Sequence, residues 1–193
     1  MPKTETFDRN LVLEQATEVF HSKGYNGTSM QDLVDATSLN RSSIYNSFGS
    51  KLGIFLEVLS FYQLHNTKKI SSGLAQTYSA TDAIKVIFDI MLNNILNDTN
   101  KKGCLLVNCK SEMTNQDPTV KAFIEQNEER MLAMLEDIVS KGQMEKVFNN
   151  NQSASQYALY LYASIQGLRM TGILNKNEHE LKGIIKTILN TLN

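Results

Sequence analysis

The chain has 193 residues, of which 41% are hydrophobic and 20% charged, and its formal net charge is −1. That length and balance predict a folded chain of one or two domains with a sizeable core and exclude a disordered one. The near-zero charge excludes a general basic field for nucleic acid, so any DNA contact has to come from a local face.

The N-terminal Met-Pro-Lys-Thr-Glu-Thr-Phe is too polar for a signal peptide. No apolar run approaches the roughly 20 residues of a membrane helix. Both features predict a cytoplasmic chain with no membrane partner. Pro2 and Pro118 are the only prolines, which leaves long stretches open to helix.

In chain order, residues 8–23 place Val12, Ala16, Val19 and Phe20 at helical spacing, and Gly24 supplies a C-terminal stop. Residues 24–27 read as a loop. Thr28 with Gln31 reads as a capping box for a short helix over about 29–36. Thr37-Ser38-Leu39 reads as a tight turn, and Asn40 as the N-cap of a second short helix from Arg41 to about Ser47. After Gly49, Ser50 caps a long apolar helix that reaches into the seventies. Further helices are predicted from Ser79 to Asn97, over 103–113, and from Asp117-Pro118 to about Lys141, where Gly142 stops the last of them. Asn149-Asn150-Asn151-Gln152 reads as a solvent-exposed connector, followed by helices over about 154–173 and 178–192. No stretch alternates as a strand would. The fold class is all-α, with about nine helices.

Residues 28–48, TSMQDLVDATSLNRSSIYNSF, form two short helices joined by a three- or four-residue turn. Each is too short to stand alone. Leu33, Val34, Ile44 and Phe48 therefore have to share a small core with Val19 and Phe20. The second helix keeps Ile44 and Phe48 as one apolar corner and clothes the rest in Arg41, Ser42, Ser43, Tyr45 and Asn46. A slim surface that donates and accepts hydrogen bonds suits a DNA major groove.

In these residues the chain resembles the TetR family of bacterial transcriptional regulators. Arg9, Ala16, Phe20, Gly24, Tyr25, Thr28 and Ile44, with the Tyr-x-x-Phe-x-Ser-Lys run from Tyr45 to Lys51, stand where that family has such residues. The resemblance covers roughly residues 9–59 closely, and the rest through helix count and the Gly-Cys-Leu-Leu-Val-Asn segment at 103–108. It implies a helix-turn-helix DNA-binding domain over 1–49 and an effector-binding and dimerisation domain over 50–193. It further implies that Thr28, Tyr45 and Lys51 bind backbone phosphates of a double-stranded operator, while Arg41, Ser42, Ser43 and Asn46 face base edges or nearby phosphates. The chain departs from the pattern at Ser38 and Ser42, where glycine is usual, and at Asn46-Ser47, where larger rings are common. Residues 1–62 hold five basic against seven acidic side chains, so affinity has to rest on geometry, and a modest salt dependence is expected.

The function implied is a repressor released from its operator by a small apolar effector, with no enzymatic activity. Phe61, Tyr62, Ile95, Cys104, Met113, Phe123, Met131, Tyr160 and Gln166 are the candidate effector-lining residues, since methionine and aromatic side chains suit an adaptable pocket. The apolar stripes of the last two helices, Ala154, Ala158, Leu161, Ile165 and Leu168 beside Leu181 to Leu192, are core or the seam of a homodimer. The resemblance favours the dimer.

Cys104 and Cys109 are not expected to bridge, because five helical residues rise about 7.5 Å, beyond a disulfide's reach. Two rival readings follow: a redox- or electrophile-sensing regulator that uses Cys104, and a small-molecule binder without DNA binding. His21, His65 and His179 show no ligand spacing, and no cofactor or metal is implied.

Overall fold

A computed structural model describes residues 7–193, and its elements are nine α-helices, with no strand among the described residues. They are α1 (Arg9–Gly27), α2 (Met30–Thr37), α3 (Arg41–Phe48), α4 (Lys51–Leu74), α5 (Ala80–Asn97), α6 (Leu105–Met113), α7 (Pro118–Met144), α8 (Ala154–Leu174) and α9 (Glu178–Asn190). They form two compact units: residues up to 66 with 104–121, and residues 67–103 with 122–193.

In the first unit, the Asp8 carboxylate accepts the amides of Asn10 and Leu11 and starts α1, which buries Val12, Leu13, Ala16 and Phe20. Val19, expected in this core, is half-buried. The regular helix breaks at Gly24, whose φ of 72° is cheap for glycine, and a single turn continues to Gly27.

The capping box of α2 lies one residue later than the sequence reading. Ser29 Oγ accepts the Asp32 amide, and Asp32 returns to the Ser29 amide at 2.8 Å. Thr28 is unavailable as a cap because its hydroxyl is drawn inward and donates to the Gly24 carbonyl at 2.6 Å. Leu33, Ile44 and Phe48 close the small core as expected, and Val34 lies at its edge.

In the second unit, α5, α7, α8 and α9 bury one continuous apolar core that includes Ile87, Phe88, Met91, Leu135, Leu161, Ile165 and Leu181. Ser79, Ser153 and Asn177 cap α5, α8 and α9 through side-chain oxygens.

Two expectations fail here. Gly142 does not stop α7, which runs to Met144; its missing side chain leaves room for the Phe148 ring, which a Cβ would strike. Asn149 is not a mere connector. It donates through Nδ2 to the carbonyls of Thr191 and Asn193, donates its amide to Leu192, and accepts the Tyr157 hydroxyl at 2.5 Å. One asparagine thus ties the α7–α8 loop to the end of the chain.

Candidate nucleic-acid interface

The α2–α3 turn is built by side chains that satisfy the backbone locally. Thr37 Oγ1 donates to the Leu33 carbonyl and accepts the Leu39 amide. Ser38, standing where glycine was expected, adopts the left-handed conformation (φ 57°, ψ 11°), which costs a non-glycine residue about 1 kcal/mol. Asn40 Oδ1 then accepts the Ser43 amide at 2.8 Å and starts α3.

With Ile44 and Phe48 inward, α3 turns Arg41, Ser42, Tyr45 and Asn46 to solvent, and Ser43 is half-buried. These four exposed positions lie at i, i+1, i+4 and i+5, one stripe along a helix roughly 12 Å long. Tyr45 is 48% exposed, an unusual place for an aromatic ring in a two-turn helix. Arg41 Nη2 donates to Gln31 Oε1 at 3.4 Å, and Gln31 in turn donates to Asp35 on α2.

Three clamps hold this stripe. Arg9 donates to both Glu57 carboxylate oxygens, at 2.6 and 3.0 Å, donates to the Ser47 carbonyl, and lies 4.4 Å from the Phe48 ring centre. It pins the end of α3 to α1 and α4. Lys51 donates from Nζ to the carbonyls of Tyr25 and Thr28, at 2.9 and 2.8 Å, and sits 4.3 Å over the Tyr25 ring. Most of its hydrogen-bonding capacity serves the α1–α2 connection. Burial and, second, the Asp117 carboxylate push the Tyr25 phenol upward from its ordinary pKa.

The third clamp comes from α6. The Glu112 carboxylate accepts the amides of Tyr25 and Asn26, at 3.0 and 2.8 Å, and lies where a Gly24 side chain would stand. No sequence signal marked Glu112, because its partners lie 87 and 86 positions earlier. At the start of α2, the Lys23 ammonium donates to Asp32 and, with the Ser29 groups, holds that carboxyl far below the usual range.

Residues 12–58 match the family described as "Bacterial regulatory proteins, tetR family", and residues 80–188 match "Tetracyclin repressor-like, C-terminal domain". The chain belongs to the TetR family. It is a DNA-binding transcriptional regulator and not an enzyme. Among relatives of this TetR-family chain, the uncharacterized HTH-type transcriptional regulator YezE of Bacillus subtilis is 30% identical over 131 residues, 68% of each chain. The HTH-type transcriptional repressor ComR of Escherichia coli is 23% identical over 188 residues, covering 97% of this chain and 90% of ComR. A cysteine mutant of the TetR family regulator CifR, solved with a 26-bp double-strand operator DNA, superposes with TM-score 0.86 at 21% identity, covering 99% of this chain and 100% of that one. The reduced form of E. coli NemR superposes with TM-score 0.84 at 17% identity, covering 96% of each. At such identities the likeness is one of fold.

The nine residues proposed to meet an effector are divided between the two units of this TetR-family regulator. Phe61, Tyr62, Cys104 and Met113 belong to the first; Ile95, Phe123, Met131, Tyr160 and Gln166 belong to the second. In the first, the Tyr62 hydroxyl reaches Cys104 Sγ at 3.8 Å, Met113 is buried and Phe61 is half-buried. In the second, Ile95 is buried beside Gly172, and Phe123, Met131 and Gln166 are half-buried. Tyr160 instead shares the exposed side of α8 with Leu159, Met170 and Leu174. Sequence reasoning missed Arg169, whose guanidinium points inward to Met91; an arginine inside a hydrophobic run was the available signal. Among the described residues no cluster of His, Cys, Asp and Glu could hold a metal, and no helix is long and apolar enough to cross a membrane.

Proposed function

We propose that this chain acts as a homodimeric repressor that a small-molecule effector releases from its operator. The observation that carries DNA reading is the exposed stripe Arg41, Ser42, Tyr45 and Asn46 on α3, backed by the buried Ile44 and Phe48. Ser43 lies at the edge of that stripe. Lys51 and Thr28 act differently from the side chains on it. With its carbonyl bonds made, Lys51 keeps one N–H for a phosphate, and Thr28 serves by holding the loop that precedes α2. On this reading, residues 1–49 contact DNA and 50–193 sense and dimerise.

The homodimer is supported by apolar side chains left in the open on α8 and α9. Leu159, Tyr160, Met170 and Leu174 are exposed on α8, and Ile184 on α9. Gly167 and Gly183 have open space at their Cα atoms, so a second helix can approach closely there. A two-fold dimer presents two recognition helices to half-sites about 34–36 Å apart. Repression accords with the names of ComR of E. coli and DhaR of Mycobacterium sp., both repressors. Release requires the effector to favour the non-binding state by a few kcal/mol.

The test uses DNA selected by the protein from a random double-stranded pool. Tyr45→Ala should weaken binding roughly tenfold or more, a loss of about 1–2 kcal/mol, with the dimer intact by sedimentation. Unchanged affinity in a gel shift would remove α3 as the reading helix.

A thiol-sensing second reading rests on Cys104, which occupies the N-cap position of α6 with the Tyr62 hydroxyl at its sulfur. Cys109 has no part in it, since burial and then the Glu112 carboxylate push its thiol up to about 12. Release of operator by an electrophile, abolished in Cys104→Ser, would select this reading.

A further inference from the structure

Gln166 and Arg169 stand three residues apart on α8, on the flank between its buried stripe (Leu161, Ile165, Leu168, Gly172) and its exposed one. Their spacing along the helix axis is about 4.5 Å. Gln166 Oε1 is buried and accepts no hydrogen bond. The half-buried Arg169 guanidinium donates through Nη2 to Met91 Sδ of α5 at 2.9 Å, and no oxygen acceptor completes it among the described residues.

A thioether is a weak acceptor, whereas a guanidinium carries five N–H donors and keeps its proton. A folded interior rarely leaves a buried acceptor such as Gln166 Oε1 unpaired unless something else supplies the partner. Met91, which the guanidinium touches, is 2% exposed, Ile95 lies beside Gly172 further along α8, and Met131 packs against the same apolar core. One buried acceptor lacks a donor, and three residues along the helix a half-buried guanidinium has donors left beyond its one bond to a sulfur.

We infer that the effector is a small amphipathic organic acid. Its carboxylate takes paired N–H···O bonds from Arg169, a hydroxyl or amide N–H on the same molecule donates to Gln166 Oε1, and its apolar body lies against the adaptable methionines. This rests on the effector-released reading above and refines it. A purely apolar effector, the class drawn from the sequence, would desolvate the guanidinium and give it nothing in return.

The probes are hydroxy acids with apolar bodies, a series of 3-hydroxyalkanoic acids together with phenyllactic and mandelic acids, each with its methyl ester. Binding to the full-length protein is read by thermal shift and titration calorimetry, and release by anisotropy of labelled operator. At least one acid should bind and release the DNA, with its ester at least about tenfold weaker, the value of a charge-assisted pair. Arg169→Gln should lose the acid by a similar factor. Gln166→Leu should erase the preference for the hydroxy acid over its deoxy analogue. The wild-type comparison of acid with ester keeps the test decisive if either variant misfolds. Release by esters as readily as by acids overturns the acid assignment and leaves the inducible regulator standing. Release by no compound, acid or ester, overturns both.

Discussion

The α2–α3 pair and the α8–α9 pair solve the same local problem, two helices joined by a short connection, with opposite surfaces. α3 hides Ile44 and Phe48 and shows solvent small polar groups with a single aromatic ring. α8 hides Leu161, Ile165 and Leu168 and still leaves Leu159, Met170 and Leu174 uncovered. Water is an adequate partner for the first surface and a poor one for the second. On the proposed reading, the exposed side of each pair marks its partner: hydrogen-bonding edges of DNA for α3, a second apolar surface for α8 and α9.

The strongest way to break this comparison is to charge the apolar side. Leu159→Glu combined with Met170→Glu should give a monomer by sedimentation and weaken operator binding by about a hundredfold, the loss expected when two linked sites become one. A double variant that stays dimeric would disprove the α8 seam.

The next effect concerns the loop that braces α8 and α9. Asn149→Ala removes four side-chain hydrogen bonds, to Thr191, Asn193, Tyr157 and the Asn151 amide, and leaves the backbone bond to Leu192. It should cost about 2 kcal/mol in denaturant unfolding, with DNA affinity per dimer retained. An unchanged midpoint would return Asn149 to the role of connector.

A smaller effect depends on pH. Burial of Asp98 works to raise its carboxyl, but the amides of Gly103 and Lys102 and the Lys176 ammonium together outweigh it, and the pKa lies below the ordinary value. A carboxyl depressed in the folded state stabilises fully above its unfolded pKa of about 3.9. That stability is lost as pH falls through the lower folded value. Acid unfolding of Asp98→Asn should therefore be shallower than that of the parent below about pH 4, and parallel curves would refute the assignment.

The smallest effect lies in the turn before α3. Ser38→Gly should relieve left-handed strain against added unfolded-state entropy, for a net change of about 0.5 kcal/mol or less. Operator affinity should hold, and a marked loss of binding would mean that the Ser38 hydroxyl itself touches DNA.

Several elements are legible in the sequence itself. Asn40 and Ser50 were recognisable as caps, Gly24 as a break and Ser38 as an unusual turn residue, because each acts within four positions of its own partners. Near misses came from competition between neighbours. Thr28 and Ser29 both suit a cap, and only the inward pull of the Gly24 carbonyl on Thr28 decides between them. Gly142 looked like a stop, and the Phe148 ring made it a packing site. In the candidate interface, the exposed stripe followed from helical period, whereas the commitment of Lys51 to two backbone carbonyls did not.

By itself, the sequence determined the helices, their order and the face each turns inward, because periodicity and capping are written in near neighbours. Tertiary structure alone decided which polar groups complete one another. Glu112 finds amides 87 and 86 positions away, Arg169 finds a sulfur 78 away, and Asn149 finds the last turn of the chain. A hydrogen bond depends on distance and angle between atoms that only the folded chain brings together, and no local pattern of residues encodes that meeting.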